Sequence, residues 1–159
     1  MTTNPISALK WFDDRRAPGD LGVGGASLIR LQAVTEKRGQ LTVGELGSGL
    51  PFAPRRFFVV SRVPDTDIRG EHAHRKLQQV LVCLTGSVIA DVNDGARSRS
   101  VMLDCPQVGL LVPPMVWGAQ HHYSPDAMLL VLASREYDAS DSIDDFSEFI
   151  ALRARRGFA

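Results

Sequence analysis

From Ala26 onward, the hydrophobic positions fall in short runs divided by turn residues. Ile29, Leu31 and Ala33 alternate with Arg30 and Gln32, which predicts a half-buried strand. Glu36-Lys-Arg-Gly39 turns the chain, and Leu41, Val43 and Glu45 begin another strand. Residues 56–60 predict a third, with Pro54 before it. Residues 80–84 and 88–92 predict a pair of strands around Thr85-Gly86-Ser87. Asn93-Asp94-Gly95 is a hairpin turn, after which Arg97, Arg99, Val101 and Leu103 carry the chain on. Residues 108–112 and 127–133 are almost wholly apolar, which predicts central strands. Many short strands at this spacing predict an all-β fold, a two-sheet sandwich or barrel.

The two ends differ from this pattern. Residues 1–25 read as an N-terminal extension or arm, with residues 26–159 as the domain proper. Trp11 and Phe12 are its docking candidates, and Asp13-Asp14-Arg15-Arg16 reads as solvated. Pro18-Gly19 and Gly22-Val-Gly-Gly25 are expected to break any regular element. No Lys-Ser or Lys-Thr follows these glycines, so they do not suggest a phosphate loop. At the other end, Asp141-Ser-Ile-Asp-Asp-Phe-Ser-Glu-Phe-Ile150 reads as the start of a short C-terminal helix. Ile143, Phe146 and Ile150 would share one face. Acids crowd its first turn and Arg153, Arg155 and Arg156 its last, as the helix dipole prefers.

Composition narrows the classes. A chain of 159 residues is one domain with a sizeable core. Lys and Arg number 18 and Asp and Glu 18, so no global charge draws the chain to nucleic acid or to a membrane. Anion binding must come from a local cluster. Cys83 and Cys105 make no disulfide framework and read as buried free thiols. The first ten residues lack a charged start followed by an apolar block, and no run is long enough to span a bilayer. A cytoplasmic protein is the expectation.

The candidate chemistry lies in Arg69-Gly-Glu-His-Ala-His74. In an extended strand, residues two apart face the same side, so His72 and His74 look into one space. Such a pair can be a metal site, an acid/base site or surface. With Gln79 and Gly86, the spacing resembles the first cupin motif, His-x-His, then Glu, then a glycine turn. Here the Glu position holds Gln79, and an amide is a poor ligand for a divalent cation. Gly109-Leu-Leu-Val-Pro-Pro-Met-Val-Trp-Gly118 resembles the second motif, with Gly118 where a metal cupin often has histidine. His121 and His122 would replace the missing ligand only after rearrangement. The pair is therefore read without a metal. Two imidazoles on one face, after Arg69-Gly70, suit proton transfer at a carbon beside a ketone. Arg55, Arg56 and Arg69 are the local cations for a phosphate. Trp117, Tyr123 and Tyr137 are open between core and pocket wall.

These residues, with Gln79-Val-Leu-Val-Cys-Leu-Thr-Gly-Ser87, resemble the dTDP-sugar 3,4-ketoisomerases, small metal-independent cupins also called WxcM-like. Further blocks agree in order. They are Glu36-Lys-Arg-Gly-Gln-Leu41 with Glu45, Pro51-Phe-Ala-Pro-Arg-Arg56, Val112-Pro-Pro-Met-Val-Trp117, Tyr123-Ser124, Val131-Leu-Ala-Ser134 and Tyr137-Asp-x-x-Asp141. The resemblance spans about residues 28–150. It implies a cupin jelly roll, a homodimer often with exchanged strands, no cofactor, and a dTDP-4-keto-6-deoxyhexose as substrate. It implies removal of the C3 proton, a 3,4-enediol, and return of a proton at C4, in the making of deoxy-amino sugars. By position, His72 and His74 match the active-site histidines, with His74 as base and His72 as partner. Arg56, Arg69, Gln79, Trp117 and Phe58 are the implied substrate contacts. Phe58 stands where the family often has tyrosine, Gly118 follows Trp117 where Trp-His is common, and Asp141-Ser-Ile-Asp-Asp-Phe146 departs from the family's closing pattern. The rivals are an epimerase on a related keto sugar, a non-catalytic sugar-nucleotide-binding cupin, and a metal-dependent cupin.

Overall fold

A computed structural model describes residues 5–14 and 19–155, with side chains omitted for residues 12–14. The expectations for Phe12, Asp13, Asp14, Arg15, Arg16, Pro18 and Arg156 fall outside these described parts. The chain runs β1 (Ile6–Ser7), α1 (Ala8–Asp14), β2 (Gly19–Val23), β3 (Ala26–Arg30), β4 (Gln32–Glu36), β5 (Gly39–Val43) and β6 (Arg56–Ser61). It continues with β7 (Arg69–His74), β8 (Gln79–Thr85), β9 (Val88–Asn93), β10 (Ser98–Leu103), β11 (Val108–Val112), β12 (Trp117–His121) and β13 (Met128–Ala133). A 3₁₀ turn (Ala139–Asp141), β14 (Ser142–Ile143) and α2 (Phe146–Arg155) close it.

The strands form two six-stranded sheets. One has the order β1-β10-β9-β12-β7-β14, the other β2-β3-β11-β8-β13-β6. Alternation decides what fills the space between them. Val88, Ala90 and Val92 of β9 and Val101 and Leu103 of β10 meet Leu81, Leu110, Leu129 and Val131 from the second sheet. The second sheet also buries its other face, where Val80 and Val82 pack with Leu31, Leu50 and Phe52. Burial on both faces explains the nearly continuous apolar runs of β8, β11 and β13. This is the expected jelly-roll sandwich with a short C-terminal helix.

Several details correct the sequence reading. Residues 80–84 and 88–92 do not pair. β8 lies between β11 and β13, while β9 lies between β10 and β12 in the opposite sheet. Gly86 (φ +69°) turns the corner between sheets, and a Cβ there would collide with Ser124 and Ala127. The strand at 29–33 breaks at Leu31, and β4 and β5 form a separate exposed hairpin turned at Lys37-Arg38. The described part of the N-terminal segment, read as an extension or arm, packs on the sandwich. β2 pairs with β3, and Ala8, Trp11, Leu21 and Val23 are buried in the main core. The glycines expected to break this stretch instead bend a hairpin, with Gly24 and Gly25 at positive φ between β2 and β3.

The helix also starts later than its acids suggest. Ser142 and Ile143 pair as a strand with His74 and Ala73. Asp145 then caps α2 by accepting the Glu148 N–H at 2.7 Å. Its buried anchor is Phe149, packed with Ala73, Met115 and Ile143, whereas Phe146 and Ile150 stay partly exposed. Phe149→Ala should cost about 3–5 kcal/mol in denaturant unfolding, and Ile150→Ala roughly 1 kcal/mol or less. Equal small losses would mean that α2 is not docked through Phe149.

Candidate active site

β7 carries the site because its two edges and two faces have different neighbours. It lies between β12 and β14, with Gly118 opposite His72 and Ser142 opposite His74. Ala73 points the other way and is fully buried under α2. His72 and His74 therefore point into a cavity of about 400 Å³, which is further lined from β6, β8, β12 and β13 and by residues 135–144. Gly70 (φ +81°) and Glu71 (φ +57°) both adopt left-handed backbone just before His72. A Cβ on Gly70 would stand 2.9 Å from the Gly118 carbonyl, so the close approach of β7 to β12 requires glycine there.

The imidazoles meet edge to face, with ring centroids 4.8 Å apart. They differ in access. Both ring nitrogens of His74 are buried without a formed hydrogen bond. The Asp141 carboxylate reaches to 3.3 Å of His74 Nδ1. A contact of that length fails as a hydrogen bond only when it is bent, so we read it as a charge contact. Burial lowers the His74 pKa to about 4, helped by His72 and Arg56 and opposed by Asp141. His74 is thus neutral near pH 7.

The other expected residues separate into those the fold gathers and those it does not. Arg56, Phe58, Arg69 and Gln79 all line the cavity. The Arg56 guanidinium lies 5.2 Å from the Phe58 ring centroid and 5.3 Å from that of Tyr137. Ring faces on this scale hold a guanidinium in place and leave its outer N–H groups for an anion. Trp117, expected as a substrate contact, is not among the residues that line the cavity. Its indole meets Phe146 and Phe149 at 5.1 and 5.6 Å. Trp117 therefore belongs to the α2 packing, on the far side of the sheet from the histidines. Arg55 is absent from the lining, and Tyr123 is buried in the main core.

His121 and His122 form a separate cluster outside the cavity lining. His121 Nε2 lies 2.9 Å from Asp91 Oδ2, and its other nitrogen faces His122. Among the described residues, no group of three or more His, Cys, Asp or Glu side chains is placed to hold a metal.

Sequence reasoning missed Asp141, Gln120 and the wall at residues 135–144. Asp141 read as a first-turn acid of the helix. The available signal was its place in the Tyr137-Asp-x-x-Asp141 block. In the structure, Asp138 accepts the Ser140 N–H at 2.9 Å, and the resulting turn seats Asp141 under β7.

Comparison with known proteins identifies relatives of this chain. The family model described as WxcM-like, C-terminal (FdtA) matches residues 24–154. The TDP-4-oxo-6-deoxy-alpha-D-glucose-3,4-oxoisomerase of Aneurinibacillus thermoaerophilus is 39% identical over 127 residues, covering 78% of this chain and 91% of that protein. A mutant of the 3,4-ketoisomerase QdtA from Thermoanaerobacterium thermosaccharolyticum, in complex with TDP-4-keto-6-deoxyglucose, superposes with a TM-score of 0.83 at 32% identity. It covers 86% of this chain and 99% of that one. A 3,4-ketoisomerase from Helicobacter canadensis gives 0.78 at 32% identity, covering 81% and 97%.

The depressed pKa of His74 has a consequence for stability. In the unfolded chain this imidazole takes up a proton near pH 6.5, while in the fold it resists until about pH 4. The unfolded state binds more protons in that window, so stability falls as pH drops through it. His74→Gln should remove that share of the decline, read as a shallower fall of Tm between pH 6.5 and 4. An unchanged slope would show that His74 is not buried neutral.

Proposed function

The chain belongs to the WxcM-like, C-terminal (FdtA) family, and from that premise we propose that it is a dTDP-4-keto-6-deoxyhexose 3,4-ketoisomerase. The observation that carries this reading is the pair of imidazoles facing an arginine-bearing cavity in a chain 39% identical to a named 3,4-oxoisomerase. The reaction is an internal redistribution of two protons, one from C3 to C4 and one from O3 to O4, and needs no outside oxidant. A base takes the C3 proton, and the C–H electrons form the C3=C4 double bond while the C4 carbonyl becomes an enolate. The O3 proton passes to O4. A proton then returns to carbon at C4, and O3 becomes the new carbonyl.

His72 is the base at carbon in this scheme. The resemblance implies His74 as base, but burial lowers its pKa to about 4, below the working range of a base at carbon. His72 lines the same cavity, and its ring nitrogens are not buried as those of His74 are. His74 then serves as the shuttle between O3 and O4. Arg56 and Arg69, which line the cavity, take the diphosphate in this scheme, and Gln79 donates to a sugar oxygen where a metal cupin would hold a carboxylate ligand. Phe58 supplies an apolar wall beneath Arg56.

The same reading includes a homodimer working in the cytoplasm. Val34 and Leu41 of the β4–β5 hairpin, Leu46, and Phe57 on the outward face of β6 are exposed apolar side chains, and β6 is the edge of its sheet. A second copy is the partner that would cover them, and a monomer in sedimentation analysis would remove that part. Free Cys83 and Cys105 fit a reducing compartment.

Proton NMR of dTDP-4-keto-6-deoxyglucose with the protein in deuterated water should show a 3-keto product with deuterium at C4. Exchange at C5 would instead support an epimerase, and binding without exchange a non-catalytic module. His72→Asn should lower turnover by roughly 10²–10⁴-fold, with dTDP binding retained. Near wild-type turnover in that variant would refute the assignment.

A further inference from the structure

We propose that Asp141 is a positioning residue that keeps the His74 proton on Nδ1, leaving Nε2 free to accept a proton from the sugar. The proposal rests on the ketoisomerase reading for its catalytic consequence, but not for its geometry. Asp141 is itself buried, with 8% of its surface exposed. Its Oδ2 accepts the Leu77 N–H at 3.1 Å and is the same atom that lies 3.3 Å from His74 Nδ1. The backbone around it is fixed at several points. Asp141 N–H donates to the Asp138 carbonyl at 3.1 Å, and the Asp141 carbonyl accepts the Arg75 N–H at 2.9 Å. The next residue, Ser142, pairs in register with His74. Carboxylate and imidazole thus ride on paired backbone and cannot drift apart independently.

Two consequences follow from charge. A carboxylate accepts but does not donate, so the nitrogen beside it must carry the proton. That fixes one tautomer and presents Nε2 as a bare acceptor. The bend of the free-state contact is no obstacle, because such contacts commonly tighten only with substrate bound. Asp141 also supports the charge that His74 acquires as a shuttle. The charged and titratable groups that face His74 are His72 on its own strand, Arg56 from β6, and Asp141. Once His72 has taken the C3 proton, Asp141 is the one group of these three that favours a second positive charge.

The test uses the intact protein. Nitrogen-15 NMR of the free wild type should show His74 with a protonated Nδ1 and a bare Nε2. Asp141→Asn keeps an oxygen for the Leu77 N–H, so Tm should stay close to wild type. The variant should push the His74 pKa further down and lower kcat on the order of a hundredfold, with KM within a few-fold. A wild-type His74 protonated on Nε2, or an Asp141→Asn enzyme with wild-type kcat, would overturn the proposal. If Asp141→Asn fails to fold, the wild-type tautomer still decides. If the wild type does not isomerise the keto sugar, the functional reading fails while the tautomer measurement stands on its own.

Discussion

The site depends on the pairing of β7 on both of its edges. Gly118 of β12 faces His72 on one side, and Ser142 of β14 faces His74 on the other. That double pairing fixes the strand's pleat, and the pleat divides its side chains. Ala73 goes down into the Phe149 cluster, while the two histidines go up into the cavity. A slip of one residue would bury an imidazole under α2 and expose the alanine. The helix is therefore more than a cap on the sheet. It makes one face of β7 apolar and so obliges the other to carry the chemistry.

Electrostatics then separates two chemically identical side chains. His74 lines the cavity with both ring nitrogens buried, faces one carboxylate and stays neutral. Around them the cavity carries arginine on one wall and aspartate on another, with Arg56 held against Phe58 and Tyr137. Such a division suits a substrate with a dianionic diphosphate at one end and a proton-exchanging sugar at the other. It asks only that a proton be moved among carbon and oxygen atoms of one ring.

Much of this was legible in the amino-acid order. The His-x-His spacing, the strand at residues 56–60 and the Asn93-Asp94-Gly95 turn are local features with a direct physical reading, and the fold uses each of them. The rest was hidden for identifiable reasons. Strands 80–84 and 88–92 look like a hairpin, since a glycine turn serves equally well to cross between sheets. The N-terminal glycines look like breakers until β3 offers them a partner. Trp117 is ambiguous because either face of a central strand can be apolar, and only α2 settles which one it joins. Asp141 is distant from His74 in sequence, and its acids mimic a helix start until Ser142 and Ile143 are seen to pair with β7.

The central claim is that one imidazole of the β7 pair reaches the reacting carbon of a keto sugar. A crystal structure with a bound dTDP-4-keto-6-deoxyhexose tests it most directly. The account predicts the sugar C3 at about 3–3.5 Å from a His72 ring nitrogen, with the diphosphate near Arg56 and Arg69. A sugar ring seated elsewhere, with both imidazoles out of reach of C3 and C4, would contradict it.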